Sequence, residues 1–314
     1  MNLHQFRFVQ EAVRRQLNLT ETAKALHTSQ PGISKAILEL EGELGVDIFV
    51  RHGKRLKRVT EPGLQVLKSV EVIMREVANL KRIGEEFSKQ DAGTLSIATT
   101  HTQARYFLPG PVAQLRKRYP KVQVVLHQGM PEQVARMLLD DVAEIGLATE
   151  ALAAHDELIT LPCYEWQHVM VVPAGHPLAA LERPTLEQLA AFPLVMYQPT
   201  VTGRTRIDQA FERAHLRPLV ALEAIDSDVI KTYVRLGLGV GIVAEGSMRT
   251  EPAEPDLAWR PLGHLFGSNV TRVAFKRGAY LRQFVLAFAE LLSPRLTPAL
   301  LERAMAGQGS DYEL

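Results

Sequence analysis

Five consecutive residues, Thr99, Thr100, His101, Thr102 and Gln103, carry hydroxyl, imidazole and amide groups where an apolar run ends and a helical pattern opens. At such a junction, free first-turn N–H groups and the helix dipole favour an anion, and neutral side-chain donors complete its shell. Thr149 follows another apolar run at a comparable edge, and Thr202, in PTVTGR, precedes a helical pattern starting near Arg204. Threonine and glutamine at these places also serve simply as caps. His101 is expected to face the other way on an extended segment, so it stays outside the candidate set. A different chemistry is spelled near the N-terminus. HTSQPGISK gathers Thr28, Ser29, Gln30, Pro31, Ser34 and Lys35. Of these, Gln30 suits bidentate adenine recognition and Pro31 a thymine methyl. In VRHGKRLKR, the cations Arg51, Lys54, Arg55, Lys57 and Arg58 suit backbone phosphates.

Several catalytic chemistries find no support. Gly237, Gly239 and Gly241 form a GxGxG, but they follow a helical pattern and enter an apolar run, the reverse of a dinucleotide loop. They read as a helix C-cap and tight turn. The ten histidines lack metal-ligand spacing, so neither a metal nor another cofactor is expected. No nucleophile–base pair, carboxylate pair or phosphate loop stands out. The single cysteine, Cys163 in LPCYEW, reads as a buried thiol at a crossover between subdomains. It excludes an internal disulfide framework and fits a reducing compartment. The N-terminal residues lack the apolar core of a secretory signal, and no apolar run approaches the roughly 20 residues that span a bilayer. The expectation is a soluble, cytoplasmic protein with no membrane partner.

The elements that must position these residues fall into three zones. The 314 residues suit about two domains, and 46% hydrophobic with 23% charged residues implies a packed core. Net charge is +1, but residues 1–58 carry +4 and the remainder −3. A basic head on a mildly acidic body suggests nucleic-acid contact at one end. In the head, Leu3, Phe6, Val9 and Val13 define an amphipathic opening helix. Thr20 is expected to cap a second helix from Glu21 to Leu26, with Ala23 facing inward. Ser29 caps a third, with Pro31 in its first turn, Ile33, Ile37, Leu40 and Leu44 as its buried stripe, and Gly45 at its end. Two short helices around a tight turn at His27–Thr28 make a helix-turn-helix, and His52–Gly53 turns a basic β wing beside it.

The second zone, 60–88, reads as one long helix. Val66, Val70, Ile73, Val77, Leu80, Gly84 and Phe87 step alternately by four and three, an a/d seam apolar except at Gly84. The charged other faces favour a dimerisation helix over a buried one. From Leu95, short β-rich runs alternate with helical patterns, as in α/β units. Strands are predicted at 95–99, 122–127, 145–148, 168–173, 194–197, 221–225 and 240–244. Helices are predicted at 103–118, 131–139, 204–215 and 228–236.

These residues also resemble a known family. AKALHTSQPGISKAILELEGELGVDIFVR followed by TEPG is similar to the N-terminal signature of LysR-type transcriptional regulators, and VRLGLGVGIV to a motif of their body. TTHTQARYFLP, GLATEAL and YQPTVTGR resemble the CysB branch, which controls sulfur assimilation and cysteine synthesis. The resemblance covers essentially the whole chain. Two departures are Gly32, for a common Ala, which loosens the recognition helix, and Glu245, where many members carry Pro.

The resemblance implies a fold and a partition. A winged helix-turn-helix, all-α with a β wing, occupies 1–59, and a coiled-coil linker helix 60–91. An α/β effector domain like a periplasmic binding protein fills 92–306, with subdomain I at 92–163 and 268–306 and subdomain II at 164–267. Residues 307–314 form a flexible tail. It implies that Thr100, Thr102, Gln103, Thr149 and Thr202 line an effector pocket for N-acetylserine or O-acetylserine, with sulfate, sulfide or thiosulfate as modulators. The partners implied are double-stranded promoter DNA, a second copy through the linker helix, a homotetramer and RNA polymerase. The output implied is activation of sulfate uptake and reduction genes and repression of the regulator's own gene. Two alternatives stand beside it: a paralogue controlling sulfonate or sulfate-starvation genes, and an intracellular α/β enzyme or ligand-binding protein.

Overall fold

The computed structural model describes residues 1–53, 55–88, 92–199, 201, 203–249 and 254–308. Two predicted site residues, Lys54 and Thr202, lie outside the described residues, as does most of the tail. The chain divides into two compact units, Met1–Gly84 and Glu85–Leu314.

The first unit begins with α1 (Leu3–Arg14), α2 (Leu19–Ala25) and α3 (Gln30–Leu44). A reciprocal cap starts α1: Gln5 N–H donates to Asn2 Oδ1 at 3.0 Å, and Asn2 N–H to Gln5 Oε1 at 2.9 Å. Val9 is fully buried, Phe6 and Val13 are half-buried, and Leu3 at the helix entrance is exposed, so the inner stripe starts one turn later than its spacing suggests. The cap of α2, by contrast, is earlier than predicted. Asn18 Oδ1 accepts from Thr20 N–H at 3.1 Å and Glu21 N–H at 3.2 Å, which leaves Thr20 inside the first turn. Ser29 caps α3 by accepting from Gly32 N–H at 3.2 Å, and Gly45 ends it at φ +70°. Ile33, Ile37 and Leu40 face a core shared with Val9, Ala12, Ile48 and Phe49.

An antiparallel hairpin of β1 (Phe49–His52) and β2 (Arg55–Val59) follows. The chain then enters α4 (Glu61–Ser88) through the segment TEPG. Thr60 Oγ1 donates to Asp47 O at 2.6 Å and accepts from Gly63 N–H at 2.9 Å. A Cβ on Gly63 would lie 2.2 Å from the Ile48 carbonyl oxygen, so only glycine lets α4 start against the wing. With 28 residues, α4 is about 42 Å long at 1.5 Å per residue. Within the predicted seam Val70 is buried, Val66 and Val77 are half-buried, and Ile73, Leu80 and Phe87 are exposed.

The second unit is built on one mixed sheet. Its strands are β3 (Ala92–Thr99), β4 (Lys121–Gln128), β5 (Ile145–Ala148), β6 (Leu158–Pro173), β7 (Leu194–Tyr197), β8 (Val220–Ala224), β9 (Val240–Ala244), β10 (Leu257–Pro261) and β11 (Ser268–Lys276). The order is β4-β3-β5-β11-β6-β9-β7-β8, with β10 also paired to β6. Parallel β3, β4 and β5 belong to one subdomain, and parallel β7, β8 and β9 to the other. Between them run β6 and β11, antiparallel to each other from Ser268↔Gln167 to Lys276↔Leu158. These two strands are the crossovers, so the unit is an α/β fold of two subdomains.

Helices cover the sheet. The first subdomain has α5 (Pro109–Arg118), α6 (Pro131–Leu139), α11 (Gln283–Leu292) and α12 (Pro298–Met305). The second has α7 (Leu186–Ala190), α8 (Arg204–Arg213), α9 (Ser227–Arg235) and α10 (Gly263–Phe266). Separate apolar clusters form around Ile97, Phe275 and Phe288 and around Met170, Ile207 and Ile242. No helix among the described residues is long and apolar enough to cross a membrane.

The structure refines three predicted features. LPCYEW is the crossover expected at Cys163, and it takes the form of the middle of the 16-residue strand β6. The register there slips, Pro162 facing Arg272 and Tyr164 facing Thr271, so Cys163 is the extra residue of a bulge, which also accommodates the proline. The helix predicted at 103–118 is split. Gln103–Phe107 forms a π-turn, with Leu108 N–H donating to Gln103 O at 2.9 Å, because Pro109 brings no N–H to the ladder. Gly237 caps α9 as expected, while a Cβ on Gly239 would lie 2.1 Å from Pro193 O, which accounts for the second glycine.

Candidate nucleic-acid interface and inter-subdomain cleft

The polar residues at the start of α3 occupy one accessible end of the first unit. Thr28, Ser29, Pro31 and Lys35 are exposed, and Gln30 and Ser34 half-buried. The Ser29 hydroxyl is engaged as the cap. Lys35 Nζ rests 3.7 Å from Glu39 Oε1 but is 80% exposed, so a phosphate can take it over at little cost. In the wing, Arg55, Lys57 and Arg58 are exposed.

Arg51, expected to meet phosphate, already has a partner within the fold. Its Nη2 lies 2.8 Å from Glu41 Oε2, and Glu41 is 5% exposed. The other carboxylate oxygen, Oε1, accepts Ile48 N–H at 2.8 Å and Phe49 N–H at 3.0 Å. Glu41 thereby fastens the entry of β1 to α3, and Arg51 neutralises it. The guanidinium is committed to holding the wing before it meets any phosphate.

In the second unit, a cavity of about 330 Å³ lies between the subdomains. On one side Thr100, His101, Thr102 and Gln103 end β3 and open the following turn; on the other stand Tyr197, Ala244 and Glu245. Tyr164 and Trp166, from the crossover strand β6, form its floor. Thr100, Thr102 and Gln103 are thus brought together. Thr149, 4% exposed, lines an adjoining cavity that shares Val201 with the first.

The donors differ in how free they are. Gln103 is 4% exposed; its Nε2 donates to Thr271 Oγ1 at 3.2 Å and its Oε1 accepts from the Tyr164 hydroxyl. Its amide is therefore a fixed wall more than a mobile ligand hook. Trp166 is 9% exposed, and its indole N–H has no hydrogen-bond partner among the described residues, which leaves a buried donor on the cavity floor. Tyr197 binds Ser227 Oγ through its hydroxyl at 2.6 Å and accepts from Ala244 N–H at 3.0 Å. Burial pushes its pKa up, against hydrogen bonds with Ser227, Ala244 and Thr102. Behind it, buried Arg204 donates to Asp208 at 2.7 Å, to Glu223 at 2.8 Å and to Tyr197 O. That single side chain ties β7, β8 and α8 into the cavity's far wall.

His101 does not turn away. It lines the cavity, with Nδ1 3.2 Å from Gln128 Oε1 and Nε2 3.2 Å from Asp228 Oδ2. The helical turn already begins at His101, so the alternation of an extended strand does not apply to it. Sequence reasoning also passed over Tyr106, Tyr164, Trp166 and Tyr197. Their type was a signal, since an aromatic hydroxyl or indole offers an apolar face and one polar handle.

Neither Cys163 nor the glycine run joins the cavity. Cys163 is buried, its thiol pushed up to about 12 by burial and set 3.7 Å from Leu292 O, so it carries little thiolate at neutral pH.

Both units match known families. Residues 3–64 match the family described as "Bacterial regulatory helix-turn-helix protein, lysR family", and residues 88–297 the "LysR substrate binding domain". The chain is 56% identical over 314 residues to the HTH-type transcriptional regulator CysB of Burkholderia cenocepacia, covering 100% of both. It is 48% identical over 300 residues to the HTH-type transcriptional regulator SsuR of the same organism, covering 95% of this chain and 97% of that one. Among solved structures, the cofactor-binding domain of the Cbl transcriptional regulator superposes with a TM-score of 0.65 at 43% identity, over 68% of this chain and 93% of that one. A helix-turn-helix with a basic wing, a long helix and a two-subdomain cleft domain, matched over both units, place the chain in the LysR family of DNA-binding transcriptional regulators.

Proposed function

We propose that this regulator controls sulfate-assimilation and cysteine-synthesis genes, and that the inter-subdomain cavity is its sensor. The observation that carries the reading is the cavity of about 330 Å³ lined by Thr100, Thr102, Gln103 and the Trp166 indole. That volume suits a small metabolite. Its hydroxyl and N–H donors suit a carboxylate or a sulfur oxyanion held without a full counter-charge. N-acetylserine or O-acetylserine is the effector we assign to it, with sulfate or thiosulfate competing for the same donors. Thr149 and Thr202 complete the contact set in this reading.

The DNA-binding contacts proposed are Thr28, Gln30, Pro31, Ser34 and Lys35 toward the groove, and Lys54, Arg55 and their wing neighbours toward phosphates. The protein works in the cytoplasm as a dimer. Exposed Ile73, Leu80 and Phe87 on α4 support a seam that a second copy would cover. Paired dimers form a tetramer on promoter DNA, beside RNA polymerase.

Fluorescence anisotropy on labelled promoter DNA from a sulfate-assimilation operon, with salt and N-acetylserine varied, tests both halves. Specific, salt-sensitive binding altered by N-acetylserine is the expected result. Specific binding that is indifferent to it would remove this effector. The second reading, a paralogue controlling sulfonate-use genes, is what the resemblance to the CysB branch also allows. Comparing transcripts of both gene sets in a deletion strain separates the two.

A further inference from the structure

Outside the cavity lining, one carboxylate collects contacts from the opposite subdomain. Asp228, the second residue of α9, accepts a hydrogen bond from the Tyr106 hydroxyl on Oδ1. On Oδ2 it meets His101 Nε2 and Arg105 Nε, both at 3.2 Å. All three partners come from the turn that follows β3, the stretch that also carries Thr102 and Gln103. Asp228 is not needed to cap its own helix, because Asp226 already accepts from Val229 N–H at 2.8 Å.

Tyr106 joins the two roles in one side chain. Its ring lines the cavity while its hydroxyl donates to Asp228 and accepts from Lys231 Nζ at 3.1 Å. Lys231 is 2% exposed, also bound to Glu254 Oε1 at 2.9 Å and Ser247 O at 3.0 Å, so the receiving side is rigid. Burial would raise the Asp228 pKa, but the hydrogen bonds from Tyr106 and His101 and the charges of Lys231 and Arg105 outweigh it and hold the carboxylate ionised.

We propose that Asp228 is a positioning residue that latches the subdomains across the cleft: by holding Tyr106, His101 and Arg105, it keeps the 101–107 turn in the arrangement that walls the cavity. Opening the cleft breaks these contacts together. A ligand that needs the closed wall then binds with an affinity scaled by the closed fraction. The ligand half of this inference rests on the sensor reading above; the latch half does not.

The test uses full-length protein and two readouts, amide hydrogen exchange without ligand and calorimetric titration with N-acetylserine. D228A is expected to speed exchange across 101–107 by about tenfold while β3 stays protected. It is expected to weaken N-acetylserine binding by about tenfold. D228N, near-isosteric, should fall between wild type and D228A, which covers the case in which D228A folds poorly. D256A, which removes a surface ion pair with Arg235 elsewhere on α9, should leave the 101–107 exchange unchanged. Unaltered exchange at 101–107 in both Asp228 variants would overturn the latch. Faster exchange there, in a protein whose wild type does not bind N-acetylserine, would uphold the latch and remove only the assigned effector.

Discussion

Glu41 Oε2 and Arg51 Nη2 meet at 2.8 Å, joining the recognition helix to the first strand of the wing. The pair makes the wing's position a property of α3. A cation expected from the sequence to meet phosphate is, in the fold, also part of the frame that aims its neighbours.

R51A should therefore weaken DNA binding mainly by loosening the wing, leaving the salt slope close to that of wild type. R55A removes an exposed cation and should lower the slope of log K against log salt by about 0.9. Titrations at several salt concentrations distinguish them. E41A leaves Arg51 and two backbone amides at the entry of β1 unpaired, and is expected to cost about 3 kcal/mol in denaturation.

Gln30 stands half-buried as the first residue of α3. Q30A is expected to lose about 1–3 kcal/mol on a specific operator, and little on random DNA. Equal losses on both would make it a phosphate contact.

G63A tests the junction between wing and linker helix. Its Cβ would come 2.2 Å from Ile48 O, so α4 must shift. A loss of about 1–3 kcal/mol is expected from such overpacking, read as a lower denaturation midpoint.

L80E, on a seam position 69% exposed in the single chain, should dissociate the proposed dimer without changing helix content. Sedimentation equilibrium checks the mass, and circular dichroism the fold. An unchanged mass would place the dimer contact elsewhere.

The pH dependence follows from Asp228. Its folded-state pKa lies below the ordinary 3.8, so the unfolded chain takes up this proton first as pH falls. The latch's contribution to stability is full above 3.8 and is lost on descending through the folded value. Denaturation of wild type and D228N should differ at neutral pH, and the difference should shrink once the pH falls below 3.8.

Much of the first unit was legible because its signals are local. Ser29 before Pro31, Gly45 after Leu44 and the stripe of Ile33, Ile37 and Leu40 each act within a few residues, so type and spacing suffice. The same holds for α4, for the short strands β5, β7 and β9, and for the hydroxyl cluster after Thr99. Local spacing does not mark strands β10 and β11 or helices α7, α10, α11 and α12, and it marks β6 only from His168. Pro162 and Glu165 interrupt its pattern, and it is a strand because β11 pairs along it with a bulge at Cys163. Pairing 100 residues away leaves no mark in local spacing. The same reason separates the two functional surfaces. Sequence alone determined that Thr100, Thr102 and Gln103 would be placed together, since they share one turn. Only the tertiary structure decided that Arg51 serves Glu41, that His101 faces inward, and that Asp228 reaches Tyr106 across the cleft. Each of those depends on a partner brought near by the packing of distant elements.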